Sequence, residues 1–123
     1  MTRPKLVPTA DHPITVEPTQ GTVTVRVGDR EIARTDKALT LREASYPAVQ
    51  YVPLADVEPG VLKDSDTTTY CPYKGDASYY SVQAGEDLFE DLIWTYRDPS
   101  PAVKEIKDHV AFYPDRAVVD VQP

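Results

Sequence analysis

The sequence predicts a mainly β protein: compact antiparallel sheets in a single domain, with one or two short helices. Three observations carry this. Thr22-Val23-Thr24-Val25-Arg26-Val27 alternates apolar and polar residues without a break, the period of a half-buried strand. Short β-branched or aromatic runs recur between turn residues along the whole chain. Twelve prolines in 123 residues favour many short connections and oppose long helices. A chain of this length supports one core, and no repeat or composition shift marks a second domain.

Residues 1–11, polar and proline-bearing, read as a flexible N-terminal arm, and residues 12–121 as the single β-rich domain. The alternating run over 22–27 puts Val23, Val25 and Val27 on one face. Gly28-Asp29 supplies a turn, and Arg30–Arg34 returns as a second strand. Ala38–Glu43 forms a third, and Val49–Val52 a fourth that Pro53 closes. Leu54–Val57 makes a helical turn before the Pro59-Gly60 break. Asp64-Ser65-Asp66 reads as a turn into a hairpin over 67–83; it lacks the further oxygen ligands of a calcium loop. Leu88–Tyr96 follows, then a loop bracketed by Pro99 and Pro101. Pro101 suits the first turn of a short helix through Ala102, Val103, Ile106 and His109, with Ser100 as its cap. Val110–Tyr113 and Ala117–Val121 close the sheet, with Pro114-Asp115 as the turn between them.

Charge narrows the partners. A net charge of −7 and a pI near 4.7 disfavour nucleic acid, which needs a clustered excess of Lys and Arg. Anionic membrane surfaces are disfavoured for the same reason, and no apolar run has the length of a membrane helix. One cysteine leaves no internal disulfide, and the N-terminus shows no apolar leader; together these read as a reducing, cytoplasmic setting. Cys71, His12 and His109 do not make a structural zinc set, so no metal or other cofactor is expected.

The hairpin over 67–83 is the densest chemical region. It holds Cys71, then Lys74 and Gly75 at the tip, and four of the eight tyrosines. A neighbouring ammonium favours the nucleophilic thiolate, but a nucleophile also needs a base, and His12 and His109 lie far off in sequence. Cys71 reads better as a small buried apolar residue, and with no resolving cysteine a redox role needs an external thiol. Strand parity adds a carboxylate. Leu39, Leu41 and Glu43 share a face, so Glu43 points inward at a strand end unless the strand stops short of it. Tyr51 lies on the next strand, and Tyr79, Trp94 and Tyr96 on later ones.

Several segments together resemble the bacterial domain-of-unknown-function family 427. They are Glu43 with Tyr46-Pro47, Tyr51-Val52-Pro53 with Asp56-Val57, Thr69-Tyr70-Cys71-Pro72-Tyr73-Lys74-Gly75, Ala77-Ser78-Tyr79, Trp94-Thr95-Tyr96 with Asp98-Pro99, and Val110–Pro114. The resemblance spans about residues 12–121. It implies a compact β domain similar to the tent-like Mss4 type. The zinc that relatives of that type carry on paired cysteines is not carried over, because this chain has no such pairs. The family is sometimes labelled nucleotidyltransferase-like, yet the chain has no glycine-rich phosphate loop.

Two functions follow. The first is a small-molecule site. Glu43 would be a carboxylate acceptor or general base, Lys74 a cationic anchor, and Cys71 a neighbour perturbed by that lysine. Tyr51, Tyr79, Trp94 and Tyr96 would be the walls. Such a set fits binding as readily as catalysis. The second is a non-catalytic module presenting a tyrosine-rich edge to a partner protein. A concave pocket favours the first and a flat exposed patch the second.

Overall fold

The structure, a computed structural model, describes residues 5–123. It is mainly β, with two antiparallel sheets and only short 3-10 turns between strands. The ten strands are β1 (Ile14–Pro18), β2 (Thr22–Val27), β3 (Arg30–Thr35), β4 (Leu39–Glu43), β5 (Val49–Pro53), β6 (Leu62–Cys71), β7 (Gly75–Ala84), β8 (Asp87–Thr95), β9 (His109–Phe112) and β10 (Val118–Gln122). Seven form one sheet in the order β1-β4-β5-β9-β8-β7-β6, and three form a second in the order β10-β2-β3. No helix among the described residues is long and apolar enough to cross a membrane.

Period-two alternation sorts the apolar residues of the large sheet onto its two faces. Val52 of β5, Ile93 of β8, and Val110 and Phe112 of β9 point one way and meet Val23, Val25, Val27 and Ile32 of the small sheet. Their alternates, Tyr51, Trp94 and Ala111, point the other way, into a second cluster with Leu41, Tyr79, Val103 and Ile106. The large sheet is thus a middle layer with an apolar cluster on each side. Strand β9 holds its centre with only four residues: Val110 and His109 pair with Val52 and Pro53, and Phe112 and Ala111 pair with Ile93 and Trp94.

Several segments differ from the sequence expectation. Asp64–Asp66 is not a turn. It lies inside β6, which begins at Leu62, and the register against β7 shifts between Asp64 and Thr68. Ser65 and Thr67 hydroxyls both donate to Asp91, whose backbone is left-handed (φ 52°), so the bulge is fastened by its side chains. The short helix is instead a 3-10 turn over Pro101–Ile106, kinked at Val103 (φ −128°), and Ser100 makes no side-chain cap. Val103 and Ile106 still bury fully. Residues 110–113 and 117–121 do not close one sheet together: after β9 the chain crosses to the small sheet, where β10 pairs with β2.

Strand β1 was not anticipated from sequence; Pro13 and Pro18 bracket a run too short to signal alternation, yet it pairs along all of β4. Of the flexible arm expected over residues 1–11, residues 1–4 lie outside the described residues. Beyond them the chain is tied back: the Leu6 N–H donates to the Pro72 carbonyl at 3.0 Å, and Thr9 and His12 exchange backbone hydrogen bonds.

Candidate functional site

A concavity of about 170 Å³ opens on the face of the large sheet away from the small one. Its walls come from four strands and the segments that follow them: Leu41 and Glu43 of β4, Tyr46 and Pro47 of the next loop, Val49 and Tyr51 of β5, Tyr79 of β7, Trp94 of β8 and Tyr96 just after it, Tyr113 just after β9, and Lys74 from the β6–β7 loop.

A small residue in the middle strand lets the large ones meet. Tyr79 and Trp94 sit opposite each other on β7 and β8, and Trp94 sits opposite Ala111 on β9. Strands β8 and β5 flank β9, roughly 10 Å apart at the usual strand spacing. Ala111 offers only a methyl group, so Trp94 reaches across it and donates its indole N–H to the Tyr51 hydroxyl at 3.2 Å, the rings at 89° to each other. Tyr113 tilts against Trp94 with ring centres 4.7 Å apart. The Tyr79 hydroxyl hydrogen-bonds Thr69 Oγ1 at 2.9 Å and stands 3.4 Å from that of Tyr113.

The polar end of the pocket is built on Glu43. It is the last residue of β4, paired with Ile14 of β1, and its side chain is 14% exposed. The chain then turns sharply through Ala44 (φ 47°), whose N–H donates to the Pro13 carbonyl. Lys74, its side chain 12% exposed, donates from its ammonium to Oε1, and His12 Nε2 donates to Oε2 at 2.8 Å. Burial alone would raise the Glu43 pKa. The hydrogen bonds and charge of Lys74 and His12 outweigh it and leave the carboxyl below its ordinary value, so Glu43 is a carboxylate. The phenols move the other way: burial raises Tyr51 and Tyr96 well above 10, and Tyr113 to about 12, so all three stay neutral.

Lys74 owes its aim to the turn. Pro72, Tyr73 and Lys74 form the loop between paired Cys71 and Gly75, and the Lys74 N–H returns to the Cys71 carbonyl at 3.2 Å. Gly75 has a φ of +108°, and a Cβ there would stand 3.4 Å from the Asp98 carbonyl. The neighbouring Lys74 carbonyl accepts the Ser100 N–H at 3.0 Å.

Of the residues nominated from sequence, Glu43, Tyr51, Lys74, Tyr79, Trp94 and Tyr96 all line this one concavity. Cys71 does not. It is half-buried and packs against the second apolar cluster behind the wall. His12, read from sequence as a distant base for Cys71 or a member of an incomplete zinc set, is instead a partner of Glu43, and it stacks on Tyr73 with ring centres 4.1 Å apart. Tyr46, Pro47, Val49 and Tyr113 were not nominated; Tyr46-Pro47 and Tyr113 did lie within the segments carrying the family resemblance. His109 points elsewhere, its Nδ1 bonded to the Lys107 carbonyl. Among the described residues no group of three or more His, Cys, Asp and Glu side chains is arranged to hold a metal ion.

Residues 15–122 match the family model described as a domain of unknown function, DUF427, with the short label NTP_transf_9. The chain belongs to this family. No curated protein matches it. Every lining residue of the pocket lies inside the matched part of the DUF427 domain, whereas His12 lies just before it.

Proposed function

We propose that the DUF427 domain binds a small molecule in the aromatic pocket, with Glu43 and Lys74 as its polar end. The observation that carries this reading is convergence: aromatic side chains far apart in sequence meet around one carboxylate–ammonium pair. Pockets for small ligands combine apolar walls with a few placed polar groups in this way. Burial favours a lined cavity over a flat tyrosine-rich edge, since Tyr51 is 1% exposed and Tyr79 and Tyr96 are buried as well.

The reading is one of binding. Glu43 serves as acceptor, and any base role it has begins from the carboxylate form. Lys74 is committed to Glu43, so it is not the free cationic anchor for an anionic group that the sequence suggested. Cys71 takes a packing role. A volume of about 170 Å³ falls below the usual 300–1,000 Å³ of drug-sized pockets, which points to a fragment-sized ligand rather than a nucleoside triphosphate.

A fragment screen by ligand-observed NMR tests the reading, comparing the native protein with Pro47→Trp. That substitution lies on the exposed loop at the mouth and inserts an indole into the opening. Binding that disappears in the variant supports the assignment. Fragments that bind both proteins equally overturn it.

A further inference from the structure

We propose that the ligand of this pocket is a small organic cation of the methylated-ammonium class, held against aromatic faces beside the Glu43 carboxylate. The inference rests on the binding reading above and adds the sign, shape and size of the ligand.

Shape comes from the rings. A slot for a flat ligand needs two parallel faces. Here the partly exposed Tyr113 is tilted 53° to Trp94, with the buried Tyr51 at 89° to Trp94, so the open rings make the corner of a box. A box suits a rounded, tetrahedral group better than a plane. Size follows from volume: an apolar cavity of about 150 Å³ holds benzene, so about 170 Å³ takes a ligand of roughly six to eight heavy atoms.

Sign comes from electrostatics. Aromatic faces are negative and attract cations within about 6 Å of the ring centre, most strongly when water is excluded. The partly exposed rings of Trp94 and Tyr113 supply the open faces, and the Tyr113 phenol stays neutral, so it adds no competing charge. The protein already uses this attraction on the adjoining surface, where the Arg116 guanidinium lies 5.4 Å from the Tyr113 ring centre. Lys74 is the opposing charge in the wall, and Glu43 compensates it. An anion would have to draw Lys74 away from Glu43, leaving that carboxylate with His12 alone, in a chain of net charge −7. A cation leaves the Lys74–Glu43 pair intact and gains the ring faces.

Choline and its uncharged isostere 3,3-dimethylbutan-1-ol have nearly the same shape and differ in charge. Isothermal titration of the full chain with each, alongside acetate, reads the sign directly. Cation–π attraction of the usual size predicts that choline binds about 3- to 30-fold tighter than the isostere. Trp94→Leu should abolish most of that ratio. Since Trp94 also packs the sheet, Tyr79→Leu provides a second variant, and circular dichroism confirms the fold of both. Equal affinity for choline and the isostere, or tighter binding of acetate, overturns the cationic assignment while leaving a binding pocket in place. No binding of choline overturns it too, and the fragment screen then decides whether the pocket reading also falls.

Discussion

Glu43 shows how one side chain depends on partners from distant segments. In the folded protein its carboxylate holds hydrogen bonds from Lys74 and His12; in the unfolded chain it holds neither. Its folded pKa is therefore the lower of the two, so it contributes stability above the unfolded value near 4.5. That contribution is lost as pH falls through the folded value. Urea unfolding of the native protein and Glu43→Gln should show the native protein ahead at pH 7, with the gap closing below about pH 4. A gap that stays constant down to pH 3 would contradict the ion-pair geometry. Trp94→Phe keeps a ring in the wall but removes the N–H that serves the buried Tyr51 hydroxyl, and should cost about 1–3 kcal/mol in the same assay. Glu43 was legible because Leu39 and Leu41 fix the parity of its strand. His12 was not, because it precedes β1 in a stretch with no alternation and meets its partner across 31 residues.

Strands and turns decide which of these residues can meet. Ala111 is a small residue at the centre of a wide sheet, and the pocket depends on its size. Ala111→Leu adds three carbons under Trp94 and should cost about 1–3 kcal/mol through overpacking. It should also separate Trp94 from Tyr51, visible as a change in Trp94 fluorescence, the only indole in the chain. At the hairpin tip, Gly75→Ala places a Cβ where the backbone is left-handed and should cost about 1–3 kcal/mol in chemical denaturation. The tip glycine was legible from sequence, since a Lys-Gly tip suits a positive φ, but the loop length and register were not. The β6 bulge could not. Asp64-Ser65-Asp66 has turn composition, and only Asp91, 26 residues beyond Ser65, makes it a strand. The Pro101–Ile106 segment has a helix-like apolar spacing, but two apolar anchors suffice to bury a 3-10 turn with no cap.

At the scale of the molecule, the two sheets share one core and should unfold together. Leu92, fully buried between them, anchors that core, and Leu92→Ala should cost about 2–5 kcal/mol. Trp94 fluorescence and far-ultraviolet circular dichroism should still give coincident transitions. The mainly β class was legible because alternation and proline content act locally. The sheet order was not: the step from β9 into the small sheet depends on which edge of β2 is free, a property of the assembled fold. One consequence lies in β9 itself. This four-residue strand is the seam between β1-β4-β5 and β8-β7-β6. The pocket straddles it, with Glu43 and Tyr51 on one bank and Lys74, Tyr79 and Trp94 on the other. Anything seated there is a rivet across the narrowest join in the sheet. Its occupancy should register as slowed amide exchange along β9, in residues it does not touch.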